Sequence, residues 1–413
     1  MAGMRARAGA PSPAAIIIAI AGVYIGQSII AGLTIIGLPA VLRDAGASLE
    51  RIGLLYITVL PWSLKFLWAP AVDRFRLPAL GADRSNLVVL AGNALCALGI
   101  AIAGLLGESL LAQVACLSWV AFLAATTDIA CDGYAVEHLP RRHHGWGNAA
   151  QVGSSYLGSA IGAGLFLVLV AQFGWRSACF AMAALVLVLG LPFSLGLGRG
   201  SKAMARSHRP VLAAAFARPE IRDAIVATAL FVAGQKWGLA MLGPFLVDQG
   251  FSLSMIGVLN GTGSVVLGLG GAVSGGACVR YMGPGKVLAI SLLAQAVLLA
   301  CLTAIALGMD VPVQVLVSVA LMASSGVMSF GFVALYSQFM RLADPRQAGV
   351  DFTILQCTDG IVTMVGGVAV GWLAERLGYG AIFGAASGVA LASIWAIFKL
   401  FGRIGMREPL TQK

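Results

Sequence analysis

Charge is scarce in this chain. Only 11% of its 413 residues are Asp, Glu, Lys or Arg, where a soluble domain carries about 25%. That shortage excludes an ordinary water-facing surface and points to a polytopic membrane protein. No CxxC occurs, and the seven cysteines (Cys96, Cys116, Cys131, Cys179, Cys278, Cys301 and Cys357) lie in or beside apolar runs. An odd set of embedded thiols argues against a disulfide framework or a thiolate metal site. There is no GxxxxGK[ST] and no GxGxxG, so direct drive by a nucleotide is not expected. Histidine is limited to His138, His143, His144 and His208. A His-His pair without further spaced ligands does not make a metal site. No nucleophile–His–acid arrangement stands out, so neither an enzyme activity nor a cofactor is expected.

Apolar residues are abundant, at 59%, together with 53 glycines. Glycine at that level fits helices that pack closely in lipid. Apolar segments of helical length recur twelve times, over 14–38, 52–72, 87–106, 109–136, 148–171, 176–196, 223–247, 254–277, 287–308, 312–340, 352–374 and 380–401. The expected fold is therefore all-α and polytopic, with 12 transmembrane helices. Arg5 and Arg7 before the first segment mimic a signal peptide, but the segment is too long and lacks an obvious cleavage site. The net charge of +10 would suit nucleic acid, yet its distribution argues otherwise. With both termini placed inside, 21 of the 27 basic residues fall on the cytoplasmic side and four (Arg43, Arg51, Arg176, Arg376) on the outer side. That asymmetry is a topogenic signal and an anionic-lipid contact, with no nucleic-acid partner.

The chain divides. A basic stretch over 199–222, with Pro210 and Pro219, separates residues 1–198 from 223–413, six segments on each side. The two parts also resemble each other. Gly26-Gln27 corresponds to Gly234-Gln235, and the block from Gly46 to Gly53 to that from Gly250 to Gly257. The basic stretch from Arg141 to Gly145 corresponds to Arg346 to Gly349. Two parallel six-helix repeats imply a substrate site near the midplane between them, with alternating access as rocking of one bundle on the other. Small-xxx-small rows at Ser154, Gly158 and Gly162, at Gly257 and Gly261, at Gly271 and Gly275, and at Gly367 and Gly371 fit close helix packing.

Charges inside apolar segments carry the functional signal, because each costs at least a few kcal/mol at membrane depth. Lys65 sits in segment 2 between Pro61 and Pro70, so that helix is expected to bend. Asp128 and Asp132 in segment 4 are four apart and share a face, at a depth matching Lys65. Two carboxylates and a lysine could hold or release a proton as access changes. The competing reading is a static ion pair between segments 2 and 4. Lys236 lies mid-way along segment 7 beside Gln235 and Trp237, with Asp359 in segment 11 the nearest intramembrane acid candidate. A cation beside an amide and an aromatic ring would cradle an anionic, partly aromatic ligand. Gln27, Tyr24, Tyr336 and Gln338 could add hydrogen bonds. Asp73, Arg74 and Arg76 after segment 2, with Asp351 opening segment 11, read as a cytoplasmic latch, Asp351 being favoured by its helix dipole. Topogenic charge alone is the alternative.

Two of these stretches resemble a known family. The run from Pro61 to Pro70, PWSLKFLWAP, followed by Asp73-Arg74, resembles the PWxLKFLWxPxxDR signature of the AmpG-like branch of the major facilitator superfamily. Ala125 to Tyr134, ATTDIACDGY, resembles that branch's ATxDIAxDxY signature. The resemblance implies two pseudo-symmetric six-helix bundles and a bacterial inner-membrane permease, expected to be monomeric, and the charge asymmetry puts both termini in the cytoplasm. It places Lys65, Asp128 and Asp132 at motif positions. The general facilitator loop GxxxDRxGRR is kept only in part, since Ala69 replaces its glycine and Leu77-Pro78 follow Arg76. The branch includes muropeptide permeases, an acetyl-CoA carrier group and siderophore permeases of the pyochelin and rhizobactin type. Muropeptide permeases tend to carry extra helices or longer loops, and this compact chain is more like the siderophore group. The expected activity is thus proton-driven import of a siderophore or its ferric complex, an anionic chelate. Lys236, Gln235, Trp237, Gln27, Tyr336 and Gln338 would contact the cargo, and Lys65, Asp128, Asp132 and Asp359 would couple or gate. The alternatives are a muropeptide or other cargo of the branch, efflux of a drug or metabolite, and a transporter-like sensor.

Overall fold

The computed structural model describes residues 11–44, 54–106, 109–196, 204–205 and 208–407. Among them, nine helices are long and apolar enough to cross a membrane. Two of the nine, Arg141–Gly196 and Ala348–Leu400, are about twice the length needed. They break at Gly174 (φ 80°) and Gly378 (φ 75°), angles that glycine adopts without the Cβ clash of other residues. Each of the two therefore supplies two spans.

In chain order the spans are α1 (Pro13–Arg43), α2 (54–76), α3 (Ser85–Ala103), α4 (Leu110–His138), α5 (141–173) and α6 (175–196). After them come α7 (Pro219–Asp248), α8 (253–282), α9 (Pro284–Ala306), α10 (Val313–Leu342), α11 (348–377) and α12 (379–407). The expected loop from Arg141 to Gly145 is a 3-10 turn, Arg141–His143, that runs straight into α5. The repeat block from Gly46 to Gly53 lies outside the described residues.

α7 carries a single 3-10 segment, Gly238–Met241, just after Lys236, while α2 is the most broken of the spans. It comprises a 3-10 turn (Leu54–Val59), a short α-helix (Leu60–Leu64), a second 3-10 turn (Lys65–Leu67) and a final α-helix (Ala69–Arg76). Pro61 and Pro70 each stand in the first turn of an α-helical piece. There a missing N–H costs nothing, whereas mid-helix it would cost a hydrogen bond and a clash. The bend expected at the prolines is thus a set of breaks, and Lys65 projects from one of them.

Small residues set the helix spacing. A Cβ at Gly162 of α5 would stand 2.2 Å from the Ile29 carbonyl of α1, and one at Gly271 of α8 would stand 2.2 Å from the Gly326 carbonyl of α10. The expected row on α11 does not pack in this way: Gly367 faces open space, and the close approach is made by Gly366 beneath the Trp237 ring. Gly26 of α1 packs on Val186 of α6, and its sequence counterpart Gly234 of α7 packs on Ala390 of α12. α5 packs along α8, and α4 and the pieces of α2 pack on α11. These two seams flank the central cavity.

Candidate functional site

A cavity of about 800 Å³ lies between the two seams. Ile35, Leu60 and Met364 line it and are 38%, 46% and 52% exposed. They stand toward the ends of α1, α2 and α11 remote from the arginine-rich end. Lys65, Asp128, Gln151 and Tyr336 line the opposite, deeper part. The cavity is therefore open away from the basic end and sealed toward it.

One wall holds a compact ionic cluster. The Lys65 ammonium pairs with the Asp128 carboxylate and also donates to Gln356 Oε1 of α11 at 2.5 Å. Side-chain exposures of 4% and 6% make this a buried pair, so its partners must stay together to avoid an orphaned charge. With its amide nitrogen turned to donate, Gln27 reaches Asp128 Oδ1 at 2.8 Å. Asp132, one turn along α4, accepts from the Tyr24 hydroxyl at 2.6 Å and from Gln151 Nε2 at 3.0 Å. Its Oδ2 is buried and without a partner among the described residues. One lysine thus faces two carboxylates.

The other wall holds a simpler pair. Lys236 Nζ lies 2.7 Å from Asp359 Oδ1 and 4.5 Å from the centroid of the Phe332 ring. Tyr336 donates to Asp359 Oδ2 at 3.3 Å, and Thr363 to Asp359 Oδ1 at 3.2 Å. The Lys236 side chain is 26% exposed, so this cation offers the cavity more surface than Lys65, at 4%. Charge is balanced here, one lysine to one carboxylate.

Three expected ligand contacts stand elsewhere. Gln235 is fully buried, donates to Ser291 Oγ at 3.3 Å and does not line the cavity. Adjacent positions on a helix point about 100° apart, and here Lys236 takes the cavity side while Gln235 turns toward Ser291 of α9. Trp237 donates its indole N–H to the Val362 carbonyl at 3.1 Å and joins α7 to α11. Gln338 is half-buried and also off the cavity lining. Conversely, Gln356 and Gln151 are site residues that the sequence reading missed. A neutral amide in a membrane helix is too common to signal a site by itself.

The basic end is closed by several contacts. Asp73 Oδ2 accepts from the Val350 backbone N–H at the start of α11, at 2.9 Å, and Oδ1 accepts from Arg76 Nε at 2.6 Å. A Cβ at Gly349 would stand 2.3 Å from Asp73 Oδ1, so the approach depends on glycine there. Arg76 is fully buried and also bridges to Glu137 at 2.6 Å. Arg74 donates to the Pro210 carbonyl at 2.9 Å. Asp351 pairs with Arg218, just before α7, and accepts from Asp344 N at 2.9 Å. The four expected latch residues are therefore not one contact. Asp73 crosses to α11, whereas Asp351 ties α11 to the chain entering α7.

Comparison with known proteins agrees with this architecture. Residues 16–356 match the family profile described as Major Facilitator Superfamily. The anhydromuropeptide permease of Escherichia coli K12 is 28% identical over 251 residues, which is 59% of this chain and 51% of that protein. This chain thus spans about half the length of that permease. A Rickettsia conorii protein named "Putative transporter AmpG 4" is 23% identical over 363 residues, 83% of this chain and 86% of its own. Among solved structures, the Escherichia coli fucose:proton symporter FucP superposes with a TM-score of 0.68 over 93% of this chain and 97% of that one, at 18% identity, a likeness of fold alone. The matched profile covers most of the chain, and with the helical fold it establishes that this is a multi-pass membrane transport protein belonging to the major facilitator superfamily.

Proposed function

We propose that this chain is a proton-coupled importer of an anhydromuropeptide-type solute, a sugar–peptide bearing free carboxylates. The observation that carries the reading is the central cavity of about 800 Å³ flanked by two lysine–carboxylate sites of unequal charge. The volume falls within the usual range for ligand sites of about 300–1,000 Å³. The exposed ammonium of Lys236 exchanges Asp359 for a cargo carboxylate, with the Phe332 ring beside it. The Lys65 cluster carries one negative charge too many, and a proton cancels it before that wall is sealed off from water. A proton on Asp132 leaves Lys65 and Asp128 as a balanced, neutral pair that can be sealed from water, with Lys65 bonded across to Gln356 of α11. Residues 1–198 and 223–413 then rock about the cavity, with 199–222 as linker. The basic end is the cytoplasmic one by the positive-inside rule, which puts the open mouth on the outer side of a bacterial inner membrane.

The relatives' names support a muropeptide cargo over the iron chelate expected from the sequence. Compactness had favoured the chelate, yet the Rickettsia conorii relative is matched over 86% of its own length, so a short chain is no argument against the AmpG-like cargo. Proteoliposomes with an acidic exterior test the reading. Gradient-driven accumulation of radiolabelled anhydromuropeptide is expected. Accumulation of a ferric siderophore alone would return the cargo to the chelate class.

A further inference from the structure

A second cavity, of about 230 Å³, lies at the basic end beside the seam where Gly145 of α5 meets Gly276 of α8. Its walls come from both sides of that seam. Arg141, Arg142 and His144 open α5, Arg280 and Pro284 flank the turn from α8 to α9, and Arg341 stands near the end of α10. Four guanidinium groups therefore converge on one space, and no carboxylate is among its described lining residues. His144 lines the same cavity and is 4% exposed. Its Nε2 bonds the Leu139 carbonyl at 3.1 Å, while its buried Nδ1 has no partner among the described residues.

We infer that this cavity binds a phosphate-bearing anion, which bridges the seam and favours the state closed at the basic end. Guanidinium forks match tetrahedral phosphate oxygens in pairs. Closing the seam brings like charges from α5 and from α8–α10 together, and an anion between them turns that repulsion into a bridge. Opening the seam pulls the two sets of arginines apart and dismantles the site. By linkage, whatever binds only the closed arrangement stabilises it. The phosphate is either a phospholipid headgroup, since basic pockets between membrane helices on the cytoplasmic side take such groups, or a soluble phosphate. The inference concerns the scaffold and holds whatever the cargo.

The test uses the full chain in nanodiscs of phosphatidylcholine, with and without phosphatidylglycerol, and a pair of spin labels across the α5–α8 seam. Phosphatidylglycerol is expected to raise the closed-to-open ratio at the basic end roughly fivefold or more. Arg280→Gln with Arg341→Gln is expected to abolish that response while leaving the melting temperature in phosphatidylcholine unchanged. Arg142→Gln, on the opposite wall, serves if the double variant is unstable. Inorganic phosphate added to phosphatidylcholine discs separates the sources. The same shift with phosphate supports a soluble ligand, and a shift with phosphatidylglycerol alone supports a headgroup. No shift with either, or an equal response in the variants, overturns the inference.

Discussion

The two lysine sites use the same ion pair in opposite ways. On the α2–α4 wall, Lys65 is sealed, faces two carboxylates and reaches across to Gln356. On the α7–α11 wall, Lys236 is 26% exposed, meets one carboxylate and lies over an aromatic ring. A buried, unbalanced cluster can hold a proton but offers a solute little exposed charge. An accessible, balanced pair can exchange partners with a solute but has no excess charge to neutralise. On the proposed reading, division of labour between proton and cargo rests on charge count and exposure, although both lysines would look alike in a list of intramembrane cations.

The largest effect should come from splitting the sealed pair. Asp128→Asn leaves Lys65 buried against a single carboxylate, Asp132, one turn farther along α4. Losing one partner of a buried pair costs about 3–5 kcal/mol, and uptake should drop about 100-fold or more, read as initial rate per folded transporter. Asp132→Asn is the subtler break. It removes the unpartnered oxygen without orphaning Lys65, so exchange of labelled for unlabelled cargo should persist while accumulation against a gradient disappears. On the other wall, Lys236→Gln removes a charge-assisted contact of about 1.5–3 kcal/mol, so KM should rise roughly 10- to 100-fold with kcat less affected. A matching rise in KM from a substitution in the Lys65 cluster alone would collapse the comparison.

Smaller effects sharpen it. Gly349→Ala places a Cβ against the Asp73 carboxylate, and Asp73→Asn removes the charge from its bond to the Val350 N–H. Either should weaken closure of the basic end by about 1–3 kcal/mol, seen as a shift toward the opposite access state in spin-label distances. Trp237→Phe should change KM less than about twofold and cost only about 1 kcal/mol of stability, because its indole serves α11 and not the cavity. A large KM effect there would restore the ligand contact expected from the sequence.

Much of this was legible in the sequence for a simple reason: a charge in an apolar run is expensive and therefore informative. Lys65, Asp128, Asp132, Lys236 and Asp359 announce themselves in that way, and α4 spacing puts the two aspartates on one face. The twelve spans follow from apolar length, with Gly174 and Gly378 marking the two breaks that length alone left approximate. What stayed hidden depended on rotation and on groups without charge. Gln27 and Gln235 are sequence counterparts, yet only Gln27 lines the cavity. Gln356 bridges to Lys65 from a position that no pattern marks. Arg76 is grouped with Arg74 by the sequence, whereas the fold buries Arg76 completely between Asp73 and Glu137.

The central claim is that the sealed wall carries the proton. Its most direct test is accumulation of radiolabelled anhydromuropeptide in proteoliposomes under an imposed pH gradient, wild type against Asp132→Asn. The account predicts concentrative uptake that collapses with the gradient in the wild type, and equilibration without concentration in the variant. Concentrative, gradient-sensitive uptake by Asp132→Asn would contradict it.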